Sequence, residues 1–140
     1  MKFFQSSIGK IAYTDTGKGR IILVFMHGLL TSRELFAPVI AYLNPNFRVI
    51  SFDLNNFGAS EKIDRHITFE ERADVLEELC SFLKVNRINL IAHDLGASVA
   101  IEYMGKYAQR VSKLVLISPP VYPGFKTPAI VKLLRLPFAA

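Results

Sequence analysis

The stretch Ile88-Asn89-Leu90-Ile91-Ala92-His93-Asp94-Leu95-Gly96-Ala97-Ser98-Val99-Ala100 decides the fold of this 140-residue chain. Apolar, β-favouring residues lead into a small residue at 92, and a helix-forming run follows the small residue at 96. This order predicts a strand that turns sharply into a helix, with the side chain of Asp94 at the tip. Ala92 and Gly96 are small because the backbone of such a turn leaves little room for side chains.

The composition is that of one globular domain. Hydrophobic residues make up 51% of the chain, and a domain of this length typically buries about 68–70% of its unfolded surface. The net charge of +5 is spread without a basic run, so we expect no nucleic-acid partner. The single cysteine, Cys80, excludes an internal disulfide and is predicted to be a buried free thiol.

Membrane association is not expected either. The amino terminus has no apolar region of the kind that signal peptides carry, and the longest apolar run, Ile21 to Met26, is too short to span a bilayer. The sequence therefore predicts a soluble, cytoplasmic protein.

Short strands alternate with helices along the chain. Thr31 to Glu34 and Thr68 to Glu71 have the spacing of capping boxes, which predicts that a helix starts at each. Leu35, Val39, Ile40 and Leu43 would form the buried face of the first helix, and the second would run to about Leu83. The predicted strands are 3–8, 10–16, 21–26, 48–52, 88–92 and 114–117.

This alternation predicts an α/β fold, a mostly parallel twisted sheet with helices on both faces. Right-handed crossovers bring all strand-to-helix loops to one edge of such a sheet. His27, Asp53, Asp94 and Ser118 should therefore face one crevice, where open α/β sheets usually bind ligands.

Three motifs at this edge resemble those of the α/β-hydrolase fold family, in the same order. His27-Gly28-Leu29 resembles the His-Gly oxyanion loop, and Asp53-Leu54-Asn55-Asn56-Phe57-Gly58-Ala59-Ser60 resembles the Asp-Leu-Pro-Gly-x-Gly-x-Ser loop. Ala92-His93-Asp94-Leu95-Gly96 resembles the nucleophile elbow. Asn55-Asn56 replaces the common Pro-Gly, which the turn can accept because Asn tolerates left-handed backbone angles.

The resemblance implies roles for individual residues. Asp94 would be the nucleophile, and the backbone N–H groups of Leu95 and Leu29 would hold the oxyanion. His27, Gly28, Ala92, His93 and Gly96 would support the two loops. An Asp in place of the usual Ser is typical of the epoxide-hydrolase and haloalkane-dehalogenase branch.

The chemistry of a carboxylate agrees with that branch. Asp has a reference pKa near 3.9 and is ionised at neutral pH, so it can attack an sp³ carbon without a general base. Haloalkane dehalogenases carry a halide-binding Trp at the position of Leu95. Its replacement by leucine favours an epoxide over a haloalkane, and the expected substrate is a small apolar organic molecule. The resemblance implies no cofactor and no metal.

Other interpretations of these residues remain open. Asp94 could be a helix N-cap, for which Asp is among the best residues. His27 could serve only to hydrogen-bond its own loop, His93 to pack, and His66 to face solvent.

The family's late acid and final catalytic His have no counterpart here. All three histidines precede Asp94, and no Asp or Glu follows Glu102. The resemblance therefore covers the N-terminal half of the fold: 1–120 as a core of about six strands, and 121–140 as the start of a cap or a frayed tail. Such a chain is predicted not to turn over substrate.

Two alternatives follow from that gap. The chain could be a non-catalytic remnant that works as a binding module, or one half of a split enzyme. In either case the 113–118 strand would leave an exposed edge for self-association or for a second chain.

Overall fold

A six-stranded sheet forms the centre of the molecule. In a computed structural model, the described residues are 1–43 and 45–120, so the predicted tail, 121–140, lies outside them. Along the sheet the strands run in the order β1-β2-β4-β3-β5-β6. Their bounds are β1 Lys2–Ser6, β2 Gly9–Asp15, β3 Ile21–Met26, β4 Phe47–Phe52, β5 Ile88–His93 and β6 Val111–Ile117.

The pairing of the strands sets the position of every loop that matters for function. β1 and β2 form an antiparallel hairpin at one edge, and β2 pairs antiparallel with β4. β4, β3, β5 and β6 are parallel to one another. The carboxyl ends of these four strands therefore lie at one edge of the sheet, and the predicted mostly parallel α/β fold is confirmed.

The helix α2, Phe69–Phe82, begins at the predicted capping box. Thr68 Oγ1 accepts from the Glu71 N–H at 3.1 Å, and Glu71 Oε2 accepts from the Thr68 N–H at 2.9 Å. Its buried face includes Leu76, Leu79 and Cys80. Burial raises the pKa of the Cys80 thiol to about 12, as expected of an unreactive core cysteine.

The helix α3, Leu95–Tyr107, packs beside α2 on the same face of the sheet. Small residues allow the close approach, since Ala97 and Ala100 are fully buried there. Tyr103 is also fully buried, and its hydroxyl donates to Glu77 on α2 at 2.8 Å. This layer makes up the larger of the two hydrophobic clusters.

The first predicted helix is much shorter than expected. A 3₁₀ turn spans Arg33–Phe36, and α1 spans only Ala37–Ile40. Pro38 has no N–H to bond the Glu34 carbonyl, which instead accepts from Ala37, three residues on. This geometry is that of a 3₁₀ turn.

In the same segment, the prediction of a capping box at Thr31 is wrong. The cap is Ser32, whose side chain accepts from the Glu34 N–H, while Thr31 Oγ1 donates to the Gly28 carbonyl. Leu35 and Val39, predicted to be buried, are 39% and 54% exposed.

The second face of the sheet is covered less completely than the first. Phe25 and Val49 of the sheet pack there against Phe36 of the 3₁₀ turn, forming a small second cluster. Val115 and Ile117 of β6 remain 50% and 39% exposed. Within residues 1–43 and 45–120, none of the helices has the length and apolar character needed to cross a bilayer.

Candidate active site

Asp94 sits alone between β5 and α3, where the chain reverses from strand to helix. Its backbone angles are φ 47° and ψ −113°, a conformation that is strained for any residue except glycine. Its N–H donates to the carbonyl of Ile117 on β6 at 3.0 Å, and its carbonyl accepts from Ala97 in α3 at 2.9 Å. Neighbouring elements therefore fix the strained turn from both sides.

The carboxylate of Asp94 points away from its own helix. It makes no capping hydrogen bond to α3, so the interpretation of Asp94 as a side-chain N-cap is wrong. Instead, Oδ2 accepts from the backbone N–H of Leu29 at 2.8 Å. The side chain is half-buried and is held by a loop 65 residues earlier in the chain.

Of the two predicted oxyanion donors, Leu29 contacts this carboxylate. Leu29 already donates to it, as just described. Leu95 is the first residue of α3, and the N–H groups of a first helical turn have no acceptor within the helix. The structure thus brings the Leu29 N–H to the Asp94 carboxylate, while the role of the Leu95 N–H stays a prediction.

Close backbone packing explains the two glycines of these motifs. A Cβ atom added to Gly96 would lie 2.5 Å from the His27 carbonyl oxygen, and one added to Gly28 would lie 2.6 Å from His93 Nδ1. Real side chains do not tolerate such distances. Ala92, the other small residue, is fully buried.

His27 fastens the oxyanion loop to the loop after β4. Its Nε2 accepts from the Leu54 N–H at 3.0 Å, so Nδ1 carries the proton and donates to the Gly28 carbonyl at 2.7 Å. Burial lowers the pKa of His27, which keeps the ring neutral. Both ring nitrogens are engaged, so this imidazole has none left for a water molecule.

His93 packs directly beneath Gly28. Its Nδ1 is buried and has no hydrogen-bond partner among the described residues. This placement fits the predicted packing role. The third histidine, His66, is exposed in the connection before α2, as the sequence predicts.

Asp53 does not face the crevice, contrary to expectation. It is fully buried, and its carboxylate accepts from both the backbone N–H and the Nη1 of Arg33, at 2.6 and 2.5 Å. The Ala59 N–H donates to it as well, at 2.8 Å. An ion pair and two backbone donors occupy this carboxylate, so it serves to hold three loop segments together.

Arg72 is a supporting residue that the sequence reasoning missed. This buried side chain on α2 donates to the Asn55 carbonyl at 2.7 Å, and its guanidinium lies 5.8 Å from the centre of the Phe57 ring. Phe57 in turn contacts His27 edge-to-face. An arginine on the same helical stripe as Leu76 and Leu79 was the available signal.

Left-handed backbone is concentrated at this edge of the sheet. Four non-glycine residues with positive φ each follow one of the four parallel strands: Leu30 at 58°, Asn56 at 73°, Asp94 at 47° and Ser118 at 48°. The left-handed angle predicted for the Asn55-Asn56 turn is confirmed at Asn56. Strain of this kind tends to accumulate at functional sites.

Comparison with known proteins identifies relatives that share this architecture. The family model described as alpha/beta hydrolase fold matches residues 21–135. A haloalkane dehalogenase of Sphingobium indicum is 29% identical over 127 residues, covering 87% of this chain and 43% of that protein.

Two solved structures show the same resemblance. A thermophilic esterase from Thermogutta terrifontis superposes with a TM-score of 0.83 at 27% identity, covering 96% of this chain and 50% of that one. The epoxide hydrolase CorEH gives 0.79 at 27% identity, covering 96% and 49%. This chain spans half or less of the length of these three proteins. Since the family match extends over most of its residues, the chain belongs to the alpha/beta hydrolase fold family.

Proposed function

We propose that this chain carries the nucleophile of a hydrolase that forms an alkyl ester on Asp94 with a small apolar epoxide. The observation that carries the proposal is the hydrogen bond between Leu29 N–H and Asp94 Oδ2. A carboxylate at the apex of the turn, held by a predicted oxyanion donor and not used as a helix cap, is arranged as a nucleophile should be. The similarity to CorEH, named an epoxide hydrolase, supports the same chemistry.

The geometry gives the two carboxylate oxygens different tasks. Oδ2 stays on the Leu29 N–H, so Oδ1 is the oxygen that attacks the epoxide carbon. The new C–O bond forms as the ring C–O bond breaks, and the ring oxygen leaves as an alkoxide that takes a proton from solvent. Oδ2 becomes the carbonyl oxygen of the ester, where Leu29 and Leu95 would stabilise negative charge during a later attack by water.

Hydrolysis of that ester would be slow in these 140 residues. A water molecule needs a general base to attack the ester carbonyl. The nitrogens of His27 are both engaged, His93 packs below Gly28, and His66 lies in a different, exposed connection. The ester is therefore expected to persist after it forms.

The experiment is intact-protein mass spectrometry after incubation with styrene oxide. The expected result is one adduct per chain in the native protein and none above background in Asp94→Asn, which keeps the shape of the side chain but removes its charge. Asp74→Asn, a change on α2 away from the site, is the matched control and should be alkylated like the native chain. Equal labelling of the native chain and Asp94→Asn would refute the proposal.

A second candidate function rests on the exposed edge of β6. Among residues 1–43 and 45–120 this strand is the last in the sheet order. Two of its apolar side chains, Val115 and Ile117, are 50% and 39% exposed. Unpaired strand edges readily accept a further strand. We propose that β6 pairs with another chain, either a second copy or a partner that completes the sheet.

A binding module without catalysis predicts a different outcome at the crevice. It would bind the diol that corresponds to the epoxide yet leave Asp94 unmodified.

The cytoplasmic location of the protein stays a prediction.

A further inference from the structure

Leu30 is the one large apolar residue among the left-handed positions at the carboxyl edge of the sheet. Its φ of 58° is costly for leucine, and its side chain is 66% exposed. It belongs to neither hydrophobic cluster of the described residues. Backbone strain and exposed apolar surface are thus combined in a single side chain.

The other three left-handed residues at this edge have features that suit their positions. The side chain of Asn56 accepts from the Ile63 N–H and donates to the Ile63 carbonyl, closing its loop. Asp94 presents its carboxylate, and Ser118 is small and polar. No contact of Leu30 within the described part of the chain accounts for a leucine there.

The position of Leu30 next to the oxyanion loop suggests what it touches. The preceding residue, Leu29, donates its N–H to Asp94 Oδ2 at 2.8 Å. Consecutive Cα atoms are about 3.8 Å apart, so the backbone of Leu30 lies one residue from the group that binds the Asp94 carboxylate. Its exposed side chain offers apolar surface to a ligand that reaches this loop.

We propose that Leu30 is a specificity-determining residue, whose apolar side chain contacts the non-reacting part of a substrate bound at Asp94. This inference rests on the proposed alkylation at Asp94. It narrows the small apolar epoxide to those with an aryl or alkyl substituent and assigns the preference over polar epoxides to one side chain. Covering the exposed leucine with such a substituent removes apolar surface from water, which the small polar epoxides cannot do.

The test compares two epoxides on the full chain. Styrene oxide carries an apolar ring and glycidol a hydroxymethyl group, and the rate of adduct formation at Asp94 is measured for both. Leu30→Asn retains tolerance of the left-handed conformation while removing the apolar surface. Val39→Asn, which changes an exposed apolar residue on α1 away from the site, is the matched control.

We expect Leu30→Asn to lower the styrene oxide rate about tenfold, with little change for glycidol. Its melting temperature should equal or exceed that of the native chain, because the strain is relieved. Val39→Asn should leave the ratio of the two rates unchanged. An unchanged ratio in Leu30→Asn would overturn the proposal, and so would a large fall in its melting temperature, since that would assign Leu30 to packing.

A binding measurement separates this inference from the proposed chemistry. Saturation-transfer NMR follows 1-phenyl-1,2-ethanediol, which cannot alkylate the protein. If the native chain forms no adduct but binds the diol, and Leu30→Asn loses that binding, the chemistry is refuted while the role of Leu30 stands. If the native chain neither forms the adduct nor binds the diol, both proposals fail.

Discussion

At the scale of single residues, the site depends on backbone segments that pack so closely that some positions have no room for a Cβ atom. Asp94 holds a left-handed conformation because its N–H and carbonyl are bound by β6 and α3, and Gly96 lets α3 begin against the end of β3. The strain at the apex is thus offset by contacts that belong to three different elements. Substitutions at these points should affect stability and the site together.

Gly96→Ala should destabilise the chain by about 1–3 kcal/mol, because its Cβ would lie 2.5 Å from the His27 carbonyl oxygen and force the backbone to shift. Gly105→Ala is the control on the same helix, where a Cβ would meet nothing within 4 Å. That substitution should be neutral or stabilise by up to about 1 kcal/mol. Urea unfolding measures both, and equal effects would contradict this account of the turn.

Stability should fall as the pH is lowered below about 6.5, because of His27. The folded state keeps this buried ring neutral, and its pKa lies below the ordinary value. The unfolded chain binds a proton near pH 6.5, so the unfolded state gains protons first on acidification. Free energies of unfolding measured between pH 5 and 8 should show this loss.

His27→Gln should remove that pH dependence, at a cost of about 1–3 kcal/mol for the disturbed hydrogen bonds. His66→Gln, at an exposed position, should leave it intact. A pH profile that follows His66 instead of His27 would show that the buried ring is not the titrating group.

At the scale of elements, α2 supports the site through Arg72 although it contributes no reacting group. The guanidinium holds the Asn55 carbonyl and lies over Phe57, which packs on His27. Burial lowers the pKa of Arg72, a sign that its charge is held in a low-polarity setting. The position of the oxyanion loop therefore depends on α2, which reaches it through the loop that follows β4.

Arg72→Met should cost about 1–3 kcal/mol, since it leaves the Asn55 carbonyl without its donor. It should also slow adduct formation at Asp94. Arg65→Met is the control, because Arg65 pairs with Glu71 at the surface and such pairs contribute at most about 1 kcal/mol. If both variants lose the same stability, the support attributed to Arg72 is wrong.

The edge of β6 should make the chain associate as its concentration rises. Val115→Lys places a charge on the exposed strand and should shift the chain towards the monomer. Size-exclusion chromatography with light scattering reads out the mass of each. A native chain that stays monomeric at all concentrations would exclude self-pairing through β6.

The parts that the sequence predicts well are those set by local patterns. The Thr68 capping box depends on neighbouring residues only, and both the box and the helix that it begins are confirmed. The Thr31 box fails because the Thr31 hydroxyl donates to the Gly28 carbonyl and Ser32 caps the turn instead. Asp53 and Arg72 were misjudged or missed because their partners, Arg33 and the Asn55 carbonyl, are brought near only by the fold.

At the scale of the whole molecule, the chain contains the loops that present Asp94, but neither neighbouring imidazole is open to a water molecule. Both nitrogens of His27 are hydrogen-bonded, and Nδ1 of His93 is buried against Gly28. The alkyl ester is therefore expected to accumulate to one per chain and stop. Gas chromatography of the diol product should show less than one equivalent released over the time in which the adduct forms. Sustained diol release that disappears in Asp94→Asn would contradict this expectation.

The central claim is that Asp94 is the nucleophile, and locating the adduct tests it most directly. After incubation with styrene oxide, cleavage at Arg87 and Lys106 releases residues 88–106, which contain two carboxylates, Asp94 and Glu102. Fragment-ion mass spectrometry distinguishes them. The account predicts the modification on Asp94; an adduct on Glu102, or one spread over the exposed carboxylates of the chain, would contradict it.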